Sequence, residues 1–357
     1  MEWLNLQKSS GRNRLLLSKR FNKEGYPMRL KRAMKDMLAH IIVTCLPTRI
    51  LTDKRYFPLW ESKGYHITPV HFYEPIPDTR ELKDDLWTKE SELIGIDLNE
   101  DTQLSLLQTF GSQFKEEYDR LPQNKTFTPY HFSFDNETFT LVDAEILYSM
   151  IRHFKPRRII EIGSGATTCL SASAIIENTR HDDKFECNLT AIEPYPNDTL
   201  KKGFPGFTSL IEDKVQNIPL SRFTELEAND ILFIDSSHVL ALGSDVQYEY
   251  LEILPRIKRG VIVHIHDIFF PFDYPKAWVS ELWRFFNEQY LLQAFLAFNP
   301  CFEVLWSSSY MVLKFPDILE SAFSKYKRNM YSYKGDISIP IVQGYSIPSS
   351  LWMRRIK

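Results

Sequence analysis

Two glycines one residue apart follow a short apolar run in the stretch EIGSGATT, residues 161–168. Gly163 and Gly165 would let a ligand approach the backbone closely, because glycine has no Cβ and tolerates positive φ. A nicotinamide-binding loop has a third glycine or alanine three residues later, where this chain has Thr168. Glu161 would also face the pyrophosphate of such a cofactor. An acid beside the loop instead favours a cationic ligand, such as a sulfonium that carries an amino-acid tail.

Further polar groups follow the next apolar runs. Glu193 ends the run in AIEP, about 30 residues after the glycines, and its two oxygens could accept both hydroxyls of a ribose. A dinucleotide site would use the same carboxylate, so Glu193 alone does not distinguish the two cofactors. The run LFIDSSH then brings Asp235 and His238 to one edge of the predicted sheet. The functional residues are therefore predicted at the ends of successive strands.

The run GVIVHIHD ends in a second polar group. Because side chains alternate along a strand, His264 and His266 should share one face, with Ile265 and Asp267 on the other. His266 and Asp267 come last and are best placed to reach a cleft. The aromatic stretch that follows, residues 269–278, could form a lid over the acceptor, a packed connection to the next helix, or both.

The spacing of apolar runs from residue 143 onward predicts alternating helices and strands. Apolar, β-branched strands separated by helices indicate an open, doubly wound α/β sheet with parallel strands buried on both faces. Ligands bind such sheets beyond the carboxyl ends of the strands. The predicted strands are 157–163, 188–194, 209–216, 230–237 and 260–267, and the predicted helices are 143–154, 167–178, 197–204, 244–257 and 277–298. Residues 302–306 and 310–315 are predicted to form an antiparallel hairpin at the sheet edge.

The motifs EIGSGATT, AIEP, LFIDSSH and GVIVHIHDIF, in this order and spacing, resemble the class I S-adenosylmethionine-dependent methyltransferases. Within that class they look most like the branch of macrocin O-methyltransferase and, more distantly, catechol O-methyltransferase. The resemblance covers about residues 140–315. It implies a Rossmann-like, seven-stranded methyltransferase sheet with a terminal antiparallel hairpin, and S-adenosyl-L-methionine as the cofactor.

The resemblance also implies roles for individual residues. Glu161, Gly163 and Gly165 would line the methionine end of the cofactor, with added hydrogen bonds from Ser164 and Thr168. Glu193 would hold the ribose. Gln216, predicted at the end of the third strand, would lie near the adenine, and Asp235 would lie close to the transferring methyl group or a metal ion.

The acceptor must be aligned with the methyl group, and a hydroxyl acceptor must also lose its proton. His238 or His266 is the predicted general base, with Asp267 beside it; the alternative is that these histidines only shape the rim of the cleft. Related O-methyltransferases hold magnesium or calcium with an aspartate after the fourth strand and an oxygen-ligand pair after the fifth. Asp235 fits the first position, but His266 with Asp267 departs from the second, because hard cations prefer oxygen ligands.

The first 55 residues hold 13 Lys and Arg against 4 Asp and Glu, although the whole chain carries a net charge of −3. Residues 29–51 predict a basic amphipathic helix. Its apolar runs are shorter than the ~18 residues of a membrane span. The helix could pack on the main domain, rest on a membrane surface or acidic partner, or meet nucleic acid; no nucleic-acid-reading motif supports the last, and no such partner is expected.

The predicted domains are a mostly helical N-terminal extension over residues 1–125, a methyltransferase domain over 126–320 and a C-terminal tail over 321–357. The four cysteines form no CxxC pair, which fits a reducing compartment, so the expected location is cytoplasmic, with peripheral membrane contact as a further option. The favoured function is O-methylation of a sugar, glycan or natural-product-like small molecule. A non-catalytic scaffold that retains the fold and a nicotinamide-dependent oxidoreductase are the alternatives.

Overall fold

The computed structural model describes residues 26–136, 138–139, 141–328 and 348–357. The chain divides into two compact units, Met1–Leu82 and Lys83–Lys357. This division lies well before residue 125, where the sequence predicted the end of the N-terminal extension. In the described part of the chain, no helix is both long and apolar enough to cross a membrane.

The described part of the first unit is mostly helical up to residue 61 and has turns and irregular segments from there to residue 82. Its helices are α1 (Tyr26–Cys45), α2 (Thr48–Thr52) and α3 (Phe57–Glu61). The helix predicted over residues 29–51 is therefore observed as two helices, and residues 1–25 of the predicted extension lie outside the described residues. Proline at 58 fits the first turn of α3, where its missing N–H is not needed for a helical hydrogen bond.

The second unit is built around one seven-stranded sheet. Its strands are β1 (Arg158–Ile162), β2 (Asn188–Ile192), β3 (Ser209–Ile211), β4 (Ile231–Ile234), β5 (Ile262–Ile265), β6 (Phe302–Ser307) and β7 (Leu351–Arg355). They lie in the order β3-β2-β1-β4-β5-β7-β6. The neighbours from β3 to β5 pair in parallel, whereas β7 runs antiparallel to both β5 and β6. The predicted doubly wound sheet with an antiparallel terminal pair is therefore confirmed.

Helices cover both faces of this sheet. They are α4 (Glu100–Gln113), α5 (Lys115–Tyr118), α6 (Asp143–Phe154), α7 (Ala166–His181), α8 (Asp198–Lys202), α9 (Ser221–Thr224), α10 (Asp245–Tyr248), α11 (Lys276–Ser280), α12 (Glu288–Leu296), α13 (Ser308–Lys314) and α14 (Pro316–Ala322). Alternate residues of β4 enter different clusters: Phe233 packs in the core with α6 and α7, and Leu232 packs in the core with α12. Burial on both faces is why these strands are apolar throughout rather than alternating.

The second strand of the terminal pair is not where the sequence predicted it. Residues 310–315 fall mostly in α13, and the antiparallel strand is β7, which lies in the predicted C-terminal tail. A six-residue apolar run cannot be assigned to strand or buried helix by periodicity alone, and Pro316 at the start of α14 marks a helix boundary. Residues 329–347 of the predicted tail lie outside the described residues.

The predicted long helix over 277–298 is two helices, α11 and α12. The break contains Trp283, which adopts a positive φ of 55° that cannot continue a helix. At its end the Asn287 side chain accepts a hydrogen bond from the Leu240 N–H at 2.6 Å. The break thus joins the start of α12 to the loop after β4, and this junction builds part of the site.

Candidate active site

The glycine loop after β1 packs directly on the end of β4. Gly163 has a φ of 77°, and a Cβ built on it would lie 1.9 Å from the carbonyl oxygen of Asp235. No side chain fits that gap, so glycine is required there. The Gly165 N–H donates to Oγ1 of Thr168 at 3.1 Å, which satisfies one of the free N–H groups at the start of α7.

A buried carboxyl group lies beneath the loop. Glu161 is 1% exposed; one of its oxygens, Oε1, accepts a hydrogen bond from Thr167, and the other, Oε2, has no partner among the described residues. Burial raises the pKa of Glu161 to about 8, and the negative charges of Asp235 and Glu193 add to this rise. The hydrogen bonds from Thr167 and Thr168 lower the pKa but do not offset burial. An orphaned buried oxygen of this kind suits a ligand that brings a hydrogen-bond donor or a positive charge.

The carboxylate of Glu193 is held across the loop from Glu161. Its oxygens accept hydrogen bonds from the N–H groups of Ser164 at 3.3 Å and Tyr195 at 2.8 Å. Each oxygen keeps a lone pair for a ligand hydroxyl. The hydroxyl of Ser164 is buried and has no partner among the described residues.

A cavity of about 220 Å³ adjoins the loop. Gly165 and Cys169 form one wall, and the segment after α5 forms the other through Lys125, His131 and Asn136. The lining carries hydroxyl, amide and ammonium groups and contains no carboxylate. The loop therefore borders this cavity through Gly165 and contacts Asp235 through Gly163.

An acidic cluster surrounds the imidazole of His238. Its Nε2 lies 3.3 Å from Oδ1 of Asp235 and 3.4 Å from Oδ2 of Asp267. Asp235 is the most accessible member, with 30% of its side chain exposed, against 13% for Asp267 and 8% for His238. His238 and Asp267 both adopt positive φ, 60° and 57°, a conformation that non-glycine residues rarely adopt and that concentrates at functional sites.

The other nitrogen of His238 is bound to Glu288, the first residue of α12. Nδ1 lies 2.8 Å from Oε2 of Glu288, and the other carboxylate oxygen accepts a hydrogen bond from Tyr250 at 3.1 Å. Burial alone would lower the pKa of His238, but the hydrogen bonds to Asp235 and Glu288 and the charge of Asp267 raise it well above its ordinary value. The imidazole is therefore protonated at neutral pH, with a donor facing each side.

The protonated imidazole of His238 also helps to keep Asp235 ionised. Burial would raise the pKa of Asp235, but the positive charge of His266 and the hydrogen bond from His238 outweigh burial and lower the pKa to about 2. His266 lies with Nε2 3.6 Å from Oδ1 of Asp267, while its Nδ1 is buried without a partner among the described residues. Asp235 is therefore an ionised carboxylate at the accessible end of the cluster.

Asp267 is anchored by the segment that precedes β7. Its Oδ1 accepts a hydrogen bond from the Ser349 hydroxyl at 3.2 Å. The N–H groups of Ser349 and Ser350 donate to the buried carboxylate of Asp143 at 2.9 and 3.1 Å. The first residue of α6 thus fixes the entry of β7 and, through it, one edge of the acidic cluster.

Gln216 and His264 make their contacts outside the cluster around His238. Gln216 is in a 3₁₀ turn, Val215–Asn217, beyond the end of β3, and its amide donates to the Gly243 carbonyl at 3.4 Å. His264 stacks on Phe233 with centroids 3.8 Å apart and faces Ser350, so it belongs to the core. Burial lowers the pKa of His264 well below its ordinary value, and it is neutral.

Comparisons with known proteins agree with this geometry. Residues 160–268 match a family model described as a methyltransferase domain. An uncharacterised protein of Archaeoglobus fulgidus is 35% identical over 176 residues, which cover 47% of this chain and 77% of the archaeal protein. The chain contains a methyltransferase domain.

A solved structure also aligns with part of the chain. It is a proposed protein-L-isoaspartate O-methyltransferase (β-aspartate methyltransferase) from Plasmodium falciparum, in complex with S-adenosyl-L-homocysteine. The two chains are 15% identical, with a TM-score of 0.26, and the alignment covers 46% of this chain and 83% of the other.

The methyltransferase domain does not present the oxygen-ligand pair that a magnesium or calcium site needs. The gap between Asp235 and Asp267 holds Nε2 of His238, which points an N–H at both carboxylates. His266 further replaces one of the two oxygen ligands that the resemblance implies after β5. The donor set therefore fits a protonated imidazole better than a hard cation.

One other group of possible metal ligands exists among the described residues. Glu117, Glu177 and His181 bring their ligand atoms within 4.8 Å of one another. Arg152 lies in the same group, with Nε 2.7 Å from Glu117 and a terminal nitrogen 3.3 Å from His181. A guanidinium in that place makes the group a structural ion pair.

The structure adds residues that the sequence did not reveal. Glu288 lies 50 residues from His238, and Asp143 lies more than 200 residues from the serines it binds, so no local motif marks either contact. The aromatic stretch over 269–278 is a packed connection, since Phe269, Phe270 and Tyr274 are each at most 3% exposed. A carboxylate at the predicted start of a helix was the one weak signal for Asp143.

Proposed function

We propose that this protein is an S-adenosylmethionine-dependent methyltransferase that acts on oxygen. The observation that carries the proposal is the group of carboxyl side chains close to the end of β1. There Glu161 has an orphaned, buried oxygen, and the carboxylates of Glu193 and Asp235 lie near enough to raise its pKa. Three acids around a backbone without a side chain suit a ligand that is cationic at its centre.

The cofactor fits the groups on both sides of the loop. Glu161 would accept a hydrogen bond from the ammonium of the methionine tail, and the cavity with Lys125 would receive the tail's carboxylate. Glu193, already oriented by the N–H groups of Ser164 and Tyr195, would hold the ribose hydroxyls. Gly165 and Thr168 shape the loop beneath, and Gln216 remains a candidate near the adenine. When bound, the cofactor supplies an electrophilic methyl group on sulfur.

The acidic cluster would prepare the acceptor. The acceptor oxygen forms a bond to the methyl carbon as the carbon–sulfur bond breaks, and the hydroxyl proton must leave. Asp235 is the ionised and most accessible group of the cluster, and we assign it the role of receiving that proton. His238 is already protonated, so its role is to hold Asp235 and Asp267 in place rather than to act as the base. The charges of Asp267 and Asp235 outweigh burial and raise the pKa of His266, so we assign His266 the same supporting role.

The acceptor we propose is a hydroxyl of a sugar, a glycan or a natural-product-like small molecule, and the chemistry proceeds without a divalent metal. Support comes from the hydrogen-bonding groups around the cluster and from the imidazole between Asp235 and Asp267. A macrocin O-methyltransferase-like activity is one member of this class.

Calorimetric titration with S-adenosylhomocysteine tests the cofactor site. We expect micromolar binding that is unchanged by magnesium and weakened at least about tenfold by Glu193→Ala, the loss of a hydrogen-bonded charged partner being worth roughly 1.5–3 kcal/mol. Glu186→Ala, the same change at an exposed glutamate, should bind like the parent. A folded protein that does not bind the cofactor would overturn the proposal.

A further inference from the structure

Helix α1 presents exposed side chains along most of its length. Every residue from 31 to 45 is exposed, so this part of the helix makes no packed face in the described chain. The large apolar side chains are exposed by about half or more: Met34 by 58%, Met37 by 61%, Leu38 by 56% and Ile41 by 48%. These four residues recur at intervals of three and four, so they form one stripe along the helix.

Such a helix needs a surface to be stable. Isolated helices of this length are marginal in water, and helices in proteins gain most of their stability by burying an apolar face. The stripe therefore requires an occupant. The apolar part of the helix is not long enough to cross a bilayer. If the helix binds a membrane, it must therefore lie along the membrane surface.

The charges on α1 select the occupant. The helix carries four basic residues and one acid, Asp36. By helical spacing, Lys31 and Lys35 border the apolar stripe along one side, and Arg32 lies on the opposite face. An apolar stripe bordered by lysines complements a surface that is apolar within and anionic at its rim. The first 55 residues as a whole also carry an excess of positive charge, like the helix itself.

We propose that α1 binds the surface of an anionic membrane, with Met34, Met37, Leu38 and Ile41 in the acyl boundary and Lys31 and Lys35 at the headgroups. This inference is independent of the proposed methyltransferase activity. It places the protein at a lipid surface through its first unit.

Co-sedimentation of the full chain with vesicles tests the inference. The test vesicles are phosphatidylcholine with about 30% phosphatidylserine, which gives the negative surface potential of an anionic membrane. The protein should bind them at least about tenfold more tightly than vesicles of phosphatidylcholine alone. Salt should weaken this binding. Ile41→Glu places a charge in the apolar stripe and should reduce the partition at least about tenfold.

Val43→Glu is the matched control. Val43 is 76% exposed and lies on the side of α1 opposite Ile41, so the same substitution there should leave binding nearly unchanged. Light scattering of both variants distinguishes the competing occupant, a second copy of the chain. The inference is overturned if neither vesicle binds, if Ile41→Glu binds like the parent, or if Ile41→Glu converts a dimer into a monomer without changing lipid binding.

Discussion

Nδ1 of His238 lies 2.8 Å from Oε2 of Glu288, and this contact ties the loop after β4 to the first turn of α12. Both side chains are buried, and the positive charge of the imidazole is matched by carboxylates on both of its nitrogens. The contact fixes the direction in which Nε2 points, toward Asp235 and Asp267. Glu288 is thus a positioning residue that acts through His238.

Glu288→Gln should lower kcat about tenfold or more while leaving cofactor affinity nearly unchanged, because the amide keeps the shape but not the charge that supports the imidazolium. The pKa of His238 should fall, which a histidine NMR titration would detect. Tyr250→Phe removes only the other hydrogen bond to Glu288, so it should cost about 1 kcal/mol of stability and leave the His238 titration in place. An unchanged titration in Glu288→Gln would contradict the assigned role.

The pH dependence of stability should reveal His238. Its folded-state pKa is raised above the unfolded value of 6.5, so its contribution is complete below pH 6.5 and is lost as the pH rises through the folded-state pKa. The difference in unfolding free energy between the parent and His238→Gln should therefore be largest near pH 6 and shrink in alkali. Denaturant unfolding at a series of pH values measures it, and a difference that grows in alkali would refute the assignment.

Glu161 should also make the folded protein less stable as the pH rises, but here the ionised carboxylate is the unfavourable form. Burial raises its pKa to about 8, so ionisation destabilises the folded protein as the pH rises from about 4.5 to about 8. Glu161→Gln should be more stable than the parent by roughly 2–4 kcal/mol at pH 8 and equally stable near pH 4. It should also bind the cofactor at least about tenfold more weakly. Glu186→Gln, at an exposed site, should show neither effect.

Gly163→Ala should destabilise the protein by about 2–4 kcal/mol, because the new Cβ would lie 1.9 Å from the Asp235 carbonyl and the φ of 77° is unfavourable for alanine. Thermal unfolding with and without the cofactor would measure the loss. Gly111→Ala is the control: its Cβ would lie 3.9 Å from the nearest atom, within helix α4, and alanine should stabilise the helix by up to about 1 kcal/mol. Equal effects at both sites would argue against a tight loop.

Asp143→Ala should cost about 2–5 kcal/mol, because it leaves the N–H groups of Ser349 and Ser350 buried without an acceptor. Hydrogen exchange at these two amides should accelerate with the loss. Asp182→Ala, at an exposed aspartate after α7, is the comparison and should change little. Retained protection of Ser349 in Asp143→Ala would show that another group anchors the entry of β7.

Much of the sheet was predictable because each parallel strand can be recognised from its own short stretch of sequence. Each parallel strand is a short apolar run that ends at a polar residue, and parallel strands bring those ends to one edge. Glu161, Glu193 and Asp235 could therefore be placed near one another before any coordinates were known. The glycine spacing and helix α6, predicted and observed over 143–154, were equally local.

The remainder depends on contacts between distant parts of the chain. The sequence of β7, LWMRR, is too short to be recognised as a strand, and the apolar run over 310–315 competed for its place in the sheet. The spacing of apolar residues over 277–298 remains helical across the break at Trp283. Such spacing carries no information about a single residue with positive φ, so the sequence predicted one helix instead of two. The pairing of His238 with Glu288 follows from that break and so could not be inferred from either residue alone.

The position of β7 between β5 and β6 has a consequence for synthesis on the ribosome. Both neighbours have been made by residue 307, yet the strand that joins them begins at residue 351. At about 5–20 residues per second, the nascent chain carries two unpaired strand edges for several seconds. Ribosome-associated chaperones that shield strand edges should therefore influence the yield of this protein more than that of a domain whose strands are made in spatial order.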